Sequence, residues 1–186
     1  SWETDNTPRA AVCLAHGLGE HSSRYHHVAE AFNQAGFSML CYDHRGHGKS
    51  PGKRGHIPDY ETMLDDVAAA LAMTQERYPR KPVFLYGHSM GGSLVLNYAL
   101  RRNPQLAGVI CTSPWIKLGF EPPTFQVMLA RIMNFIMPSF TQVNELDLQG
   151  LSRDPEVVKA YQEDPLVHSQ ASARLFVEFY RRRTHR

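Results

Sequence analysis

The chain has 186 residues, enough to bury one substantial core, and its 42% apolar and 20% charged residues are ordinary for a globular domain. A formal net charge of +2 is too small to indicate a nucleic-acid partner, and we expect none. The opening segment Ser1–Pro8 is polar and contains no signal-peptide core, and the longest apolar stretch, 125–140, is too short for a membrane span. The three cysteines, Cys13, Cys41 and Cys111, lie in or beside apolar runs. This placement predicts reduced thiols and a soluble, cytoplasmic protein.

Short apolar runs alternate with helical patterns in the first 112 residues, which is typical of a mostly parallel α/β sheet with flanking helices. We predict four strands there, at Ala10–Ala15, Phe37–Tyr42, Val83–Tyr86 and Leu106–Cys111. The helical patterns between them predict three helices, at Tyr25–Ala35, Pro58–Tyr78 and Ser93–Arg102.

The pattern changes after Pro114, where a segment rich in methionine and phenylalanine covers 119–138. Five of its apolar residues share one helical face: Phe125, Met128, Leu129, Ile132 and Ile136. Such a face either packs as core or stays exposed beside a binding site for an apolar substrate, and the sequence leaves both open. We predict a short helix at Pro155–Tyr161 and another beginning near Ser169.

The segment Gly87–Gly91 fits the pattern G-x-S-x-G, with an apolar strand before it and an amphipathic helix after it. This context is that of a nucleophile elbow, a strained turn that exposes a serine at the carboxyl edge of a sheet. The glycines are needed because bulky side chains two residues before or after the serine would collide in so tight a turn. The pattern therefore predicts Ser89 as a catalytic nucleophile.

A second glycine-rich turn, His16–Gly19, ends the first predicted strand. An elbow of this kind takes one oxyanion donor from the residue after the serine and another from such an earlier loop. We therefore predict that the backbone N–H groups of Leu18 and Met90 form an oxyanion hole.

Several histidines near these motifs have a simpler interpretation. His88 adjoins the nucleophile, but neighbours in a tight turn point in different directions, so we interpret it as a packed elbow residue. The spacing of Asp43, His44 and His47 matches no metal-ligand pattern, and their glycine-rich loop is expected to shape the sheet edge. We expect neither a metal nor a cofactor.

Four ordered motifs carry a family resemblance: HGLGEHSSRY, DHRGHGKS, GHSMGG and LSRDPEVVKAYQEDPL, beginning at His16, Asp43, Gly87 and Leu151. Together they resemble the monoacylglycerol lipase and lysophospholipase branch of the α/β-hydrolase superfamily, which also contains serine aminopeptidase-like proteins. The resemblance implies an α/β-hydrolase core over 1–112 and a helical cap over 113–179 whose apolar helix guides an acyl chain. We interpret residues 180–186 as a basic tail.

The triad of this fold runs in the order serine, acid, histidine, with the later members following later strands. No strand-like apolar run follows the cap region, so we expect the triad aspartate and histidine to be absent from this chain and the core to be truncated at its C-terminus. Five residues stand in the permitted order, but no buried strand precedes the carboxylates, and we reject them: Asp147, Asp154, Asp164, His168 and His185.

The leading hypothesis is a serine hydrolase that cleaves a lipid monoester, such as a monoacylglycerol or lysophospholipid, through an acyl-enzyme on Ser89. A general carboxylesterase or an aminopeptidase of the same fold stays open, because a fold does not determine a substrate. A catalytically inactive form that acts only as a binding module is the third hypothesis, since the base is missing. We expect a lipid ester substrate, transient membrane-surface contact through the cap, and self-association if the sheet is incomplete.

Overall fold

The computed structural model describes residues 1–4, 7–117, 121–143 and 150–182. Its strands are β1 (Ala10–Ala15), β2 (Phe37–Tyr42), β3 (Val83–His88), β4 (Gly108–Thr112), β5 (Thr141–Val143) and β6 (Gln170–Ser172). A 3-10 turn at Ser22–Tyr25 leads into the first of the six α-helices found among these residues. These are α1 (His26–Gln34), α2 (Tyr60–Arg77), α3 (Met90–Arg102), α4 (Thr124–Ile136), α5 (Pro155–Gln162) and α6 (Ala173–Arg182).

The main sheet is parallel throughout, with the strand order β2-β1-β3-β4. All six residues of the central strand β1 are buried, as expected for a parallel strand covered on both faces. Its alternate residues enter two different cores. Cys13 packs on the side of α2 and α3, whereas Leu14 packs with Ala29 of α1. The predicted α/β fold with helices on both faces is confirmed.

The two edges of this sheet differ. At the β2 edge, Trp2 forms an antiparallel bridge with Met39. At the other edge, no strand of the described residues pairs with the outer side of β4, and Val109 is 37% exposed. Because the strands are parallel, their carboxyl ends meet at one rim of the sheet, and the loops that follow β1, β2, β3 and β4 all begin there.

The first two strands have the predicted bounds, but α3 begins at Met90 rather than at Ser93. The helix starts directly after the turn at Ser89, and the small residues of its first turn are buried against the sheet and do not show an amphipathic pattern. The last sheet strand is also shifted, to Gly108–Thr112, and just before it the N–H of Ala107 donates to the carbonyl of Val83 in β3 at 2.8 Å.

After β4, helices α4 and α6 pack against each other, and β5 pairs antiparallel with β6. The predicted helix near Ser169 begins instead at Ala173, because Gln170–Ser172 forms β6. Strands of three residues are too short to leave an alternating pattern. The assignment of 113–179 as a separate cap stays a prediction, and residues 183–186 of the basic tail lie outside the described residues. Within the described chain, no helix is both long and apolar enough to cross a membrane.

Candidate functional site

Ser89 lies between β3 and α3 in a strained backbone conformation, with φ 52° and ψ −115°. A positive φ at a residue other than glycine persists only where its surroundings hold it. Here the N–H of Ser89 donates to the carbonyl of Thr112 at 3.0 Å, and its carbonyl accepts from the N–H of Trp115 at 2.9 Å. The end of β4 and the loop after it therefore hold the turn from both sides, which is the geometry expected of a nucleophile elbow.

The glycines around Ser89 are required by close backbone approaches. A Cβ atom at Gly87 would collide with the backbone of Gly91 on the next turn. A Cβ atom at Gly91 would collide with the carbonyl of Ala15 at the end of β1. The start of α3 is thereby seated directly on the carboxyl rim of the sheet, as the G-x-S-x-G pattern predicts.

The two predicted oxyanion donors belong to the elements that meet beside Ser89. Met90 is buried and is the first residue of α3, where backbone N–H groups and the helix dipole favour negative charge. Leu18 lies in the loop after β1. That loop contacts the nucleophile, since a Cβ atom at Gly17 would lie 3.3 Å from Cβ of Ser89. The predicted pair of donors thus comes from the two segments adjacent to the serine.

A carboxylate that sequence reasoning missed holds this loop. Oε1 of Glu20 accepts a hydrogen bond from the N–H of Gly17 and another from the hydroxyl of Tyr25, each at 2.6 Å. Burial, and then the neighbouring Glu20 carboxylate, raise the pKa of Tyr25 far above its usual value, so its hydroxyl stays protonated and donates. Both residues belong to the first of the four motifs, HGLGEHSSRY, which was the available signal.

Three buried histidines, His16, His44 and His47, lie close together where the loop after β1 begins. The rings of His16 and His44 have centroids 4.3 Å apart, and Nε2 of His16 accepts from the N–H of His44 at 3.0 Å. Burial lowers the pKa of His44 to about 4 and that of His47 to about 3, and it lowers the pKa of His16 as well. These side chains are neutral structural groups at physiological pH, in agreement with the interpretation of their loop.

The other two residues singled out beside these motifs are also held by hydrogen bonds. Asp43 accepts from the backbone N–H groups of Ser22 and Lys49 and so fixes the turn that contains the histidines. Nδ1 of His88 lies 2.9 Å from Oγ1 of Thr112, within hydrogen-bonding distance. Among the residues that the structure describes, no three side chains are grouped as metal ligands.

The acid and base pairs rejected from the sequence do not come together as a triad. Asp164 pairs with His21 rather than with His168, at 2.8 Å. Asp154 caps α5 by accepting from the N–H of Glu156. His168 packs its ring against His47, with centroids 4.7 Å apart. The remaining two, Asp147 and His185, lie outside the described residues.

A cavity of about 500 Å³ lies between the loop after β1 and the elements that follow β4. Its lining is mostly apolar and includes Phe125, Leu129 and Met133, on one face of α4. Leu18 and Trp115 also line it, and these two residues connect it to Ser89, which is itself not part of the wall. The arrangement places an apolar cavity against Leu18, a candidate oxyanion donor, and against Trp115, whose N–H donates to the carbonyl of Ser89.

The four outward residues of α4 are a separate feature. They do not line the cavity, and they are strongly exposed: Met128 59%, Ile132 46%, Phe135 90% and Ile136 68%. The apolar face predicted from the sequence is therefore divided: Phe125 and Leu129 line the cavity and are 64% and 50% exposed, and the other three predicted residues lie outside its wall beside Phe135. Neither part is packed as core in the described structure.

Comparison with known proteins places the chain among hydrolases. A family model described as serine aminopeptidase, S33 (Hydrolase_4) matches residues 6–185. A monoacylglycerol lipase of Mycolicibacterium smegmatis is 38% identical over 167 residues, which cover 90% of this chain and 59% of that protein. The chain therefore spans less than two thirds of the length of this relative.

Solved structures agree with that placement. The crystal structure of a monoacylglycerol lipase from Paleococcus ferrophilus is 39% identical, with a TM-score of 0.86 over 98% of this chain and 68% of that one. A soluble variant of monoglyceride lipase from Saccharomyces cerevisiae, in complex with a substrate analog, is 26% identical, with a TM-score of 0.81. That match covers 98% of this chain and 63% of the yeast chain.

Proposed function

The chain belongs to the serine aminopeptidase S33 family of α/β-hydrolases, and from this we propose that it is a serine hydrolase acting on a lipid monoester such as a monoacylglycerol or lysophospholipid. The observation that carries the proposal is the position of the apolar cavity beside the elbow. Leu18 is both a candidate oxyanion donor and a wall of that cavity. An ester carbonyl at Ser89 would thus lie where an acyl chain could enter the cavity.

In the proposed reaction, Oγ of Ser89 attacks the ester carbonyl and its proton passes to a general base. The N–H groups of Leu18 and Met90 stabilise the negative charge on the carbonyl oxygen. The alcohol leaves with the transferred proton, and the acyl group stays on Ser89. Water then attacks the acyl-enzyme, the free fatty acid leaves, and the serine regains its proton.

The general base and its acid partner are, in this proposal, not among these 186 residues. Among the described residues, no histidine is recorded within hydrogen-bonding distance of Oγ of Ser89, and this supports the proposal. His88 faces Thr112, and His21 faces Asp164. Without a base a serine hydroxyl is a weak nucleophile, so the isolated chain is expected to be slow.

Labelling with a fluorophosphonate probe tests the assignment of the nucleophile. We expect labelling of the wild-type chain to disappear in Ser89→Ala. The matched control is Ser93→Ala, which removes a buried serine hydroxyl one helical turn further along α3 and should leave labelling unchanged. Equal labelling of wild type and Ser89→Ala would exclude Ser89 as the nucleophile.

A substrate series separates the proposed lipid hydrolase from the general esterase and the aminopeptidase. We expect kcat/KM to rise from acetate to medium and long acyl chains of monoacylglycerols, because a cavity of about 500 Å³ holds far more than an acetyl group. A preference for acetate would favour a general carboxylesterase, and turnover of aminoacyl anilides would favour an aminopeptidase. A chain that binds monoacylglycerol without turnover would be the inactive binding module.

We further propose transient contact with a membrane surface through the outward residues of α4. A contiguous exposed apolar patch of this kind is unusual on the free surface of a protein and is typical of an interaction site. The patch lies on the same helix as the cavity wall formed by Phe125 and Leu129, so contact with lipid would bring the cavity close to its substrate.

We also propose a cytoplasmic location, which is supported by the three cysteines, since they form no disulfide.

Self-association is proposed for the outer edge of β4, with a second copy of this chain as the partner. An unpaired strand edge offers a row of backbone donors and acceptors to another strand. Light scattering after size exclusion tests it, and we expect a dimer. Placing a charge on this edge with Val109→Lys should give a monomer, whereas Met73→Lys, at a 60% exposed site on α2, should not.

A further inference from the structure

We propose that Glu20 is a positioning residue for this reaction, because its carboxylate fixes the oxyanion loop against the nucleophile. The inference rests on the proposed function, and it assigns to Glu20 the role of holding the loop after β1 in position. Glu20 does not touch the reacting atoms in this proposal; it acts through the backbone of Gly17.

The geometry around Gly17 carries the argument. Its N–H donates to Oε1 of Glu20 at 2.6 Å, a short bond of the kind made to a charged acceptor. A Cβ atom added at Gly17 would lie 2.7 Å from that same oxygen and 3.3 Å from Cβ of Ser89. The amide of Gly17 is thus committed to Glu20, and the next amide, that of Leu18, is the one left for the oxyanion.

The carboxylate also links the loop to the elbow. Tyr25 donates its hydroxyl to Oε1 of Glu20, and its ring packs edge-on against His88, with centroids 6.3 Å apart. His88 in turn lies 2.9 Å from the hydroxyl of Thr112, whose carbonyl accepts from the N–H of Ser89. Glu20 therefore stands at the start of a continuous set of contacts that ends at the nucleophile.

A carboxylate near an oxyanion would by itself repel the developing negative charge. Two hydrogen bonds to the same oxygen, from Gly17 and Tyr25, reduce that repulsion. We therefore expect that losing the positioning of the loop slows the reaction of Ser89 more than removing the negative charge of Glu20 speeds it. If the charge dominated, Glu20→Gln would be faster than wild type.

The test compares Glu20→Ala, Glu20→Gln and Tyr25→Phe by amide NMR and by the rate at which Ser89 reacts with a fluorophosphonate. In Glu20→Ala we expect the Gly17 amide resonance to move upfield and the Gly17 proton to exchange about tenfold faster or more. The labelling rate of Ser89 should fall by about 100-fold, as for a misplaced catalytic group. Glu20→Gln keeps an acceptor and should recover most of the rate, and Tyr25→Phe should lose about tenfold.

The control is Glu30→Ala, which removes an exposed carboxylate on α1 that pairs with His26 one helical turn earlier. It should leave both readouts at their wild-type values. An unchanged Gly17 amide in Glu20→Ala, or a Glu20→Gln variant faster than wild type, would overturn the proposal. If the wild-type chain fails to react at Ser89, the proposed function fails for this chain, and the Gly17 amide alone then decides whether Glu20 holds the loop.

Discussion

Oδ2 of Asp164 lies 2.8 Å from Nε2 of His21, so the segment after α5 is fastened to the loop after β1. Nη1 of Arg24 is 3.6 Å from the same oxygen, and its guanidinium lies over the ring of Tyr161. Burial alone would raise the pKa of Asp164, but hydrogen bonds from His21 and a backbone N–H outweigh it and lower that pKa. The backbone adds a further connection, since the N–H of His168 donates to the carbonyl of Gly19 at 2.9 Å.

Removing the charge of Asp164 should loosen this connection. We expect Asp164→Asn to lower the free energy of unfolding by about 1 kcal/mol and to increase hydrogen exchange in residues 161–168. Thermal denaturation and exchange mass spectrometry provide the two measurements. Glu163→Gln, at the exposed neighbouring position, is the control and should change neither. Equal exchange in the two variants would show that the ion pair does not hold the segment.

The buried histidines predict a loss of stability in mild acid. The pKa values of His44 and His47, about 4 and about 3, lie below the value near 6.5 expected in the unfolded chain. Between these limits the unfolded state binds more protons than the folded state. Their contribution to stability is therefore complete above the unfolded pKa, near pH 6.5. It is lost as the pH falls from there to the folded pKa values of His44 and His47, about 4 and about 3.

The measurement is Tm as a function of pH between 7 and 4. We expect Tm to fall on acidification, and the fall should be shallower in His47→Asn, which removes one of the buried imidazoles. The control is His27→Asn on the exposed side of α1, whose curve should run parallel to that of the wild type. A His47→Asn curve parallel to wild type would contradict the assignment of this pH dependence.

The cavity should determine the preferred acyl length. Leu129 lines the cavity, whereas its neighbour Met128 lies outside the cavity wall. We expect Leu129→Trp to fill part of the cavity and to shift the preference toward shorter monoacylglycerols, mainly through KM. Met128→Trp adds the same bulk outside the cavity and should leave the preference unchanged. Equal chain-length profiles in the two variants would show that acyl chains bind elsewhere.

The exposed side of α4 should govern attachment to lipid. Phe135 is 90% exposed, and we expect Phe135→Ser to reduce sedimentation of the chain with phosphatidylcholine vesicles severalfold, because a fully buried large apolar side chain contributes about 2 kcal/mol. Leu100→Ser, at an 84% exposed site on α3, is the control. Equal losses in both variants, or none in either, would argue against a specific membrane-facing helix.

Sequence patterns predicted the sheet well because its strands are buried continuous runs separated by amphipathic helices. The strands β1 and β2 have the predicted bounds, and the elbow motif placed Ser89 at the turn where the structure has it. These features depend on local composition and on glycines whose positions are imposed by backbone collisions. The strand bounds and the position of the elbow are therefore encoded in consecutive residues, where one sequence is enough to show them.

The parts that sequence reasoning missed depend on residues far apart in the chain. The pair His21–Asp164 joins positions separated by 143 residues, and β5 and β6 are three residues each. The role of Glu20 was also missed, although the residue lies within a recognised motif, because the direction of its side chain toward Gly17 has no periodic signal. Nor could the pattern of α4 show that its apolar surface is divided between a cavity and solvent.

The hydrogen bonds that hold Ser89 in its strained turn have a consequence for the order in which the protein is made. The partners of Ser89 are Thr112 and Trp115, and the strands it rests on begin at Ala10. Parallel neighbours formed early in synthesis can fold as a unit while later residues are still being added. The hydrogen bonds described for the nucleophile turn therefore join residues within the first 115, and they can form before α4, α5 and α6 have been synthesised.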